Sequence, residues 1–177
     1  MANVVLGVSG SIAAYKACDL ASKLVQAGHR VDVALTRNAE RFVAPLSFAA
    51  LTHRRVFTDD AWGDDAFPHD HLRLTGEADL MVVAPCTANL LGKFAAGLAD
   101  DIVTTTWLAA ACPRLVAPAM NTRMWEQPRV RANVATLQGD GVSFVGPAAG
   151  WLSEDEEGVG RMSEPAEILE AIAGLLG

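Results

Sequence analysis

Ala78 to Ala84 is apolar apart from Asp79 and is bounded by Glu77 and Pro85. Such a run reads as a strand buried on both faces, the kind found at the centre of a parallel sheet. Parallel neighbours need crossover segments, and the sequence supplies them. Val4 to Val8 reads as a strand ended by Gly7 and Gly10. Ala13, Ala17, Leu20, Leu24 and Ala27 follow at helical spacing, and Gly28 closes that helix. Val31, Val33 and Leu35 alternate in a second strand ending at Thr36, with a helix expected over Ala39 to Leu51 and a short strand over Arg55 to Thr58. Asp59 to His71 is acidic and turn-rich and reads as a loop. Leu90 to Ala99 and Ile102 to Ala111 read as helices divided by Asp100-Asp101. Strands are expected at Leu115 to Ala117 and Val142 to Val145, a helix from Pro128 to Leu137 between them, and a last helix from Pro165 to Leu176. The alternation predicts one α/β domain over residues 1–177, a doubly wound, Rossmann-like parallel sheet flanked by helices.

Charge narrows the partners. The 177 residues carry a net charge of −7, which argues against nucleic acid or an anionic membrane. No apolar run reaches membrane-spanning length, and the start MANVVLGVSG lacks the basic segment of a signal peptide. Cys18, Cys86 and Cys112 are odd in number and lack metal-ligand spacing, so a reducing cytoplasm without disulfides is expected. His69 and His71 stand two apart with no other His or Cys near them in sequence, so no metal site is expected.

The turn Gly7-Val8-Ser9-Gly10-Ser11-Ile12-Ala13-Ala14 joins the first strand to the first helix. Glycines let the backbone approach an anion, and Ser9 or Ser11 suits the helix start, where free N–H groups favour phosphate. Any tight strand–helix turn uses Gly and Ser, so the motif alone leaves the ligand open. A dinucleotide fold usually ends its second strand with Asp or Glu for the ribose. Here that end is Thr36-Arg37-Asn38, whose hydroxyl, guanidinium and amide suit a mononucleotide phosphate better.

Two further motifs follow strands. Ala84-Pro85-Cys86-Thr87-Ala88-Asn89 stands at the carboxyl end of the central strand, where Thr87 and Asn89 serve a ligand's polar edge, a helix cap, or both. Pro118-Ala119-Met120-Asn121-Thr122-Arg123-Met124-Trp125 sets one amide between two methionines, with a tryptophan four residues beyond it. The pattern P-x-M-N-x-x-M-W, with P-x-T-A-N before it and Gly-Ser-Ile-Ala-Ala-Tyr-Lys at the start, resembles the flavin-dependent cysteine decarboxylases. That family includes phosphopantothenoylcysteine decarboxylase of coenzyme A synthesis and enzymes that process C-terminal cysteines of ribosomal peptides.

The resemblance implies FMN held by Gly10, Ser11, Ala13, Thr36, Arg37, Thr87, Ala88, Asn89 and Met120. It implies His71 as base, because Leu72 and Leu74 after it match the family's H-[IL]-x-L context, and Asn121 as the group that holds the substrate carboxylate. Taken alone, His71 reads as a solvated loop histidine. Met124, Trp125, Gly150, Leu152, Glu154 and Met162 would line the substrate side. The family also implies a homo-oligomer, a trimer or a dodecamer built of stacked trimers, and makes Trp107, Trp125 and Trp151 candidates for interface or lid contacts.

One departure stands out. The coenzyme A enzymes carry a lid of the form G-x-x-A-C-G-x-x-G-x-G-R-M, whose cysteine acts as an acid. Gly150 to Met162 aligns with it without a gap, but Glu154 stands where the cysteine belongs, inside the acidic run Glu154 to Glu157. The peptide enzymes manage without that cysteine and stop at an enethiol, and a phosphate-bearing substrate would be repelled by an acidic lid. The expectation is therefore oxidative decarboxylation of a precursor peptide's C-terminal cysteine. Phosphopantothenoylcysteine is the alternative substrate. A non-catalytic, flavin-binding regulatory subunit is a further alternative, which intact His71 and Asn121 argue against.

Overall fold

The computed structural model describes residues 1–60, 69–151 and 157–177. In chain order the elements are β1 (Asn3–Val8), α1 (Ala14–Gln26), β2 (Arg30–Leu35), α2 (Pro45–Thr52), β3 (Val56–Thr58), α3 (Asp70–Gly76), β4 (Leu80–Cys86), α4 (Ala88–Ala96) and α5 (Ile102–Ala109). They continue with β5 (Arg114–Pro118), α6 (Thr122–Trp125), α7 (Pro128–Gly139), β6 (Ser143–Phe144), β7 (Ala148–Trp151), β8 (Glu157–Arg161) and α8 (Pro165–Leu176). Six strands form one sheet in the order β3-β2-β1-β4-β5-β6, and every neighbouring pair is parallel. This is the doubly wound arrangement the sequence predicts, with the order reversing between β1 and β4.

Every residue of β4 is buried, as expected of a strand covered on both faces. Alternate residues of each strand feed two separate cores. Val4, Leu6, Val8, Val33, Leu35, Val82 and Ala84 pack with α1, Phe48 of α2 and Ile168 of α8. Val5, Ala34, Met81, Val83 and Val116 pack with Leu74 of α3, Leu90 of α4, Trp107 of α5 and Leu137 of α7. The helix start at Pro165 is met to the residue, because proline at the first helical position meets a free end of the hydrogen-bond ladder. No helix among the described residues is long and apolar enough to cross a membrane.

Two segments differ from expectation. The helix expected over Ala39 to Leu51 is split into a 3₁₀ turn over Ala39–Arg41 and α2 from Pro45. Proline lacks an N–H and forces the preceding residue out of helical geometry, and Ala44 is extended, with φ −69° and ψ 144°. The stretch ending at His71 is not loop to its end, because α3 begins at Asp70 and is anchored by burial of Leu74 one turn on, while residues 61–68 lie outside the described residues. The two described arms of the lid segment pair as an antiparallel hairpin, β7 against β8, with Gly150 opposite Gly158 and Trp151 opposite Glu157, residues 152–156 lying outside the described structure.

Candidate functional site

The carboxyl ends of β1, β2, β4 and β5 open into a cleft of about 1000 Å³, closed on one side by the arms of the hairpin. Its wall brings together Gly10, Ser11, Ala13, Thr36, Arg37, Thr87, Ala88, Asn89, Met120, Asn121, Met124 and Met162, all expected from the sequence. This is the crevice in which open α/β sheets bind their ligands.

Backbone ties fix the cleft floor. Ser9 is 2% exposed, and its Oγ donates to the Pro85 carbonyl at 2.8 Å while accepting from Thr87 N at 3.1 Å. That one hydroxyl joins the turns after β1 and β4. Ser11 Oγ accepts from Ala13 N, and Ala14 N and Lys16 N bond to the Ser11 and Ala13 carbonyls, so what α1 offers the cleft is chiefly the positive end of its dipole. Gly10 lies against the turn after β2, where an added Cβ would sit 2.9 Å from the Asn38 carbonyl carbon. Thr36 is buried and accepts from Ala39 N. Thr87 caps α4 by accepting from Leu90 N. Asn121 caps α6, its Oδ1 accepting from Arg123 N at 2.8 Å. The helix-cap reading of Thr87 is therefore met, alongside its place in the cleft wall.

Three expected residues lie elsewhere, and two more are not described. Trp125 is 9% exposed and packs in the core with Cys86, Val116 and Val134, the Arg131 guanidinium 4.8 Å over its ring. Successive helical residues point about 100° apart, so Met124 on the same turn faces the cleft and Trp125 cannot. Gly150 is absent from the cleft wall and instead leaves room for Arg161, whose Nη1 would be 3.1 Å from a Cβ there. Leu152 and Glu154 lie outside the described residues. His71 is half-buried on α3 and does not line the cleft of its own chain. The other tryptophans divide. Trp107 is buried against Phe94, rings stacked 4.0 Å apart, whereas Trp151 on the hairpin is 60% exposed and lines the cleft.

The cleft also holds charges that the sequence reading missed. Lys16 Nζ and Arg161 Nη2 both donate to Glu164 Oε1, at 2.8 and 2.7 Å, joining α1 to the base of the hairpin. The bond from Lys16 holds the Glu164 carboxyl below its ordinary value. Lys16 follows Ala13 by three residues, so helical spacing was the signal for it. Asp59 brings a carboxylate from the end of β3, accepting from Ile102 N at 2.8 Å and Arg37 N at 3.4 Å. Burial pushes its carboxyl above the usual range, against the pull of the Ile102 bond. The signal for Asp59 was its place after the third strand. Burial opposes charging Lys93, but hydrogen bonds to Asp100 and Asp101 prevail and hold its ammonium above the ordinary value. Cys86 is fully buried and its thiol is pushed far up, so it is a packing group rather than a nucleophile.

The model of the family described as Flavoprotein matches residues 1–177. The chain is 48% identical over 168 residues to the coenzyme A biosynthesis bifunctional protein CoaBC of Bacillus subtilis (strain 168), covering 95% of this chain and 41% of that protein. It thus spans about two fifths of the length of that curated relative. A solved structure of a PPC decarboxylase mutant complexed with pantothenoylaminoethenethiol superposes with a TM-score of 0.86 at 32% identity, covering 97% of this chain and 96% of that one. The FMN-dependent cysteine decarboxylase SpaF superposes with a TM-score of 0.85 at 32% identity, covering 99% of this chain and 95% of that one.

Proposed function

Because this chain belongs to the flavoprotein family, we propose that it binds FMN and decarboxylates the cysteine moiety of phosphopantothenoylcysteine. The observation that carries this choice of substrate is the 48% identity to a coenzyme A biosynthesis protein across 95% of the chain. It outweighs the single lid position, Glu154, that favoured a peptide. Lys16 and Arg161, sharing the one carboxylate of Glu164, also leave a net positive charge at this corner of the cleft for an anionic substrate.

The residues present fit a flavin mononucleotide. The positive end of α1 with Ser11 suits the phosphate, Thr87 and Asn89 suit a polar ring edge, and Met120, Met124 and Met162 offer a polarizable apolar wall. FMN would supply reversible two-electron chemistry, accepting two electrons as the cysteine CH2–SH becomes CH=S and returning them to the enethiol left after carbon dioxide departs, so that the flavin ends oxidised. Oxidised to C=S, the substrate carries an electron sink β to its carboxylate, which takes the electron pair as carbon dioxide leaves. Asn121 holds that carboxylate through its amide, and the hairpin arms with Trp151 exclude water. His71 takes the thiol proton, imidazole being the commonest general base in enzymes.

The same reading includes a homo-oligomer, a trimer or a stack of trimers, in which His71 of one copy faces the cleft of the next. Its support is that His71 lies outside its own cleft, while Ile12 and Tyr15 at the cleft rim are each 61% exposed. A second reading, oxidation of a peptide's C-terminal cysteine to an enethiol, is favoured by Glu154 in place of the lid cysteine.

Mass spectrometry decides. The purified protein is expected to release FMN and to convert phosphopantothenoylcysteine with loss of carbon dioxide alone, the flavin ending oxidised. Conversion only of a cysteine-ended peptide, with loss of carbon dioxide and two hydrogens, would overturn this in favour of the second reading. Flavin binding without turnover of either substrate would leave the regulatory subunit.

A further inference from the structure

We propose that Asp70, held by Arg55, is a positioning residue that sets the direction of His71; the inference rests on the reading of His71 as the base. Asp70 is the first residue of α3 and its side chain is 2% exposed. Its Oδ2 accepts from Arg55 Nη2 at 3.0 Å. Its Oδ1 is buried with no hydrogen-bond partner among the described residues. A carboxylate so placed gives up its water for one ion pair and an unfilled acceptor, which makes it a poor source of stability. Its value lies in direction. The Arg55 guanidinium is itself fixed, 5.2 Å over the ring of Phe57, which is buried in β3. The Asp70 carboxylate is therefore tied to the sheet through a planar, oriented group.

The local helix needs that tie. α3 has seven residues, too few to hold its own first turn in water. His69, at its start, provides no side-chain cap. Leu74 anchors the helix one turn on, in the core shared with α5. Burial of Leu74 fixes where a short helix lies but does not by itself set its rotation about its axis. Asp70 removes that freedom, and an acid at the first helical position also meets the positive end of the helix. Neighbouring helical side chains diverge by about 100°, so fixing Asp70 fixes where the side chain of His71 points. The tie from Thr75 Oγ1 to the His71 carbonyl, at 3.0 Å, acts on the backbone and does not set that direction.

The test uses the flavin-loaded enzyme labelled with ¹⁵N-histidine, its four histidines assigned by the signal each loses in a single His→Asn variant. In Asp70→Asn the ring nitrogens of His71 should move while those of His29 and His53 stay. Its kcat should fall by up to about a hundredfold, the typical consequence of a misplaced reacting group, with KM and bound flavin unchanged. Unmoved His71 signals overturn the inference, whether or not kcat falls. Moved signals with unchanged kcat overturn it too. Wild-type turnover by His71→Asn sinks the base reading instead, which separates the two failures. Should Asp70→Asn not fold, Arg55→Lys takes its place, keeping the charge but losing the planar fork, with the same readouts and outcomes.

Discussion

Met120 and Gly160 approach each other as closely as backbones can. Met120 N donates to the Gly160 carbonyl at 3.0 Å, and a Cβ on Gly160 would overlap the Met120 carbonyl oxygen. The loop after β5 and the second arm of the hairpin are thus joined main chain to main chain, without a side chain between them. Gly160→Ala must push the hairpin off the residue that precedes Asn121. Turnover should fall about a hundredfold, the scale of an ångström-size displacement of a reacting group, and overpacking of about 1–3 kcal/mol should lower the melting temperature as well. Steady-state kinetics beside thermal melting measure both, and wild-type kcat would show that the hairpin base plays no part in the site.

Gly10 meets the same restriction at the other end of the cleft. A Cβ there would lie 2.9 Å from the Asn38 carbonyl carbon, and the turn cannot retreat because Ser9 is bonded to both Pro85 and Thr87. Overpacking of this kind costs about 1–3 kcal/mol, and here the strain falls on the turn that faces the ligand phosphate. Gly10→Ala should be purified with less flavin per chain, read from the ratio of visible to protein absorbance. Full flavin content would show that the turn is not the phosphate cradle.

What could be read in the sequence follows the range of the forces involved. The strand around Leu80–Ala84 and the helix from Pro165 declare themselves locally, one by continuous burial and the other by proline at a helix start. The wall residues Thr87 and Asn121 were legible because strand ends in such sheets converge on one crevice. α3 was missed because a helix of seven residues with two buried positions carries no period to detect. The Lys16–Glu164 pair joins residues 148 apart, a link that no local pattern encodes. The break before Pro45 was in the sequence, and the apolar count over Ala39 to Leu51 outweighed it.

Asp59 should cost stability near neutral pH. Its carboxyl is raised in the folded chain, first by burial, so the charged form is disfavoured relative to the unfolded chain. A raised carboxyl contributes stability below its unfolded pKa and loses it as pH rises through the folded one. Asp59→Asn keeps an oxygen for Ile102 N and removes the charge. The variant should melt above the wild type at neutral pH, and the gap should close as pH falls through the folded pKa toward the unfolded one. Melting curves across that range test it, and a gap that widens with acidification would mean that the ionised form stabilises the fold.

Asn121 performs two tasks that one pair of substitutions can separate. Its Oδ1 caps α6 through Arg123 N, and its place in the cleft wall makes it the proposed partner of the substrate carboxylate. Asp caps a helix as well as Asn does, while Ala loses about 1 kcal/mol at such a position. Asn121→Asp should therefore melt with the wild type and Asn121→Ala below it. Turnover should follow the opposite logic. A carboxylate at position 121 would face the substrate's own. At about 4 Å and the effective dielectric of a protein surface, two like charges repel by about 4 kcal/mol, close to a thousandfold in affinity. Asn121→Asp should thus be the weaker binder of the two, although it is the better folded. Kinetics and melting on both variants decide it, because a residue that only caps α6 would leave Asn121→Asp as active as the wild type.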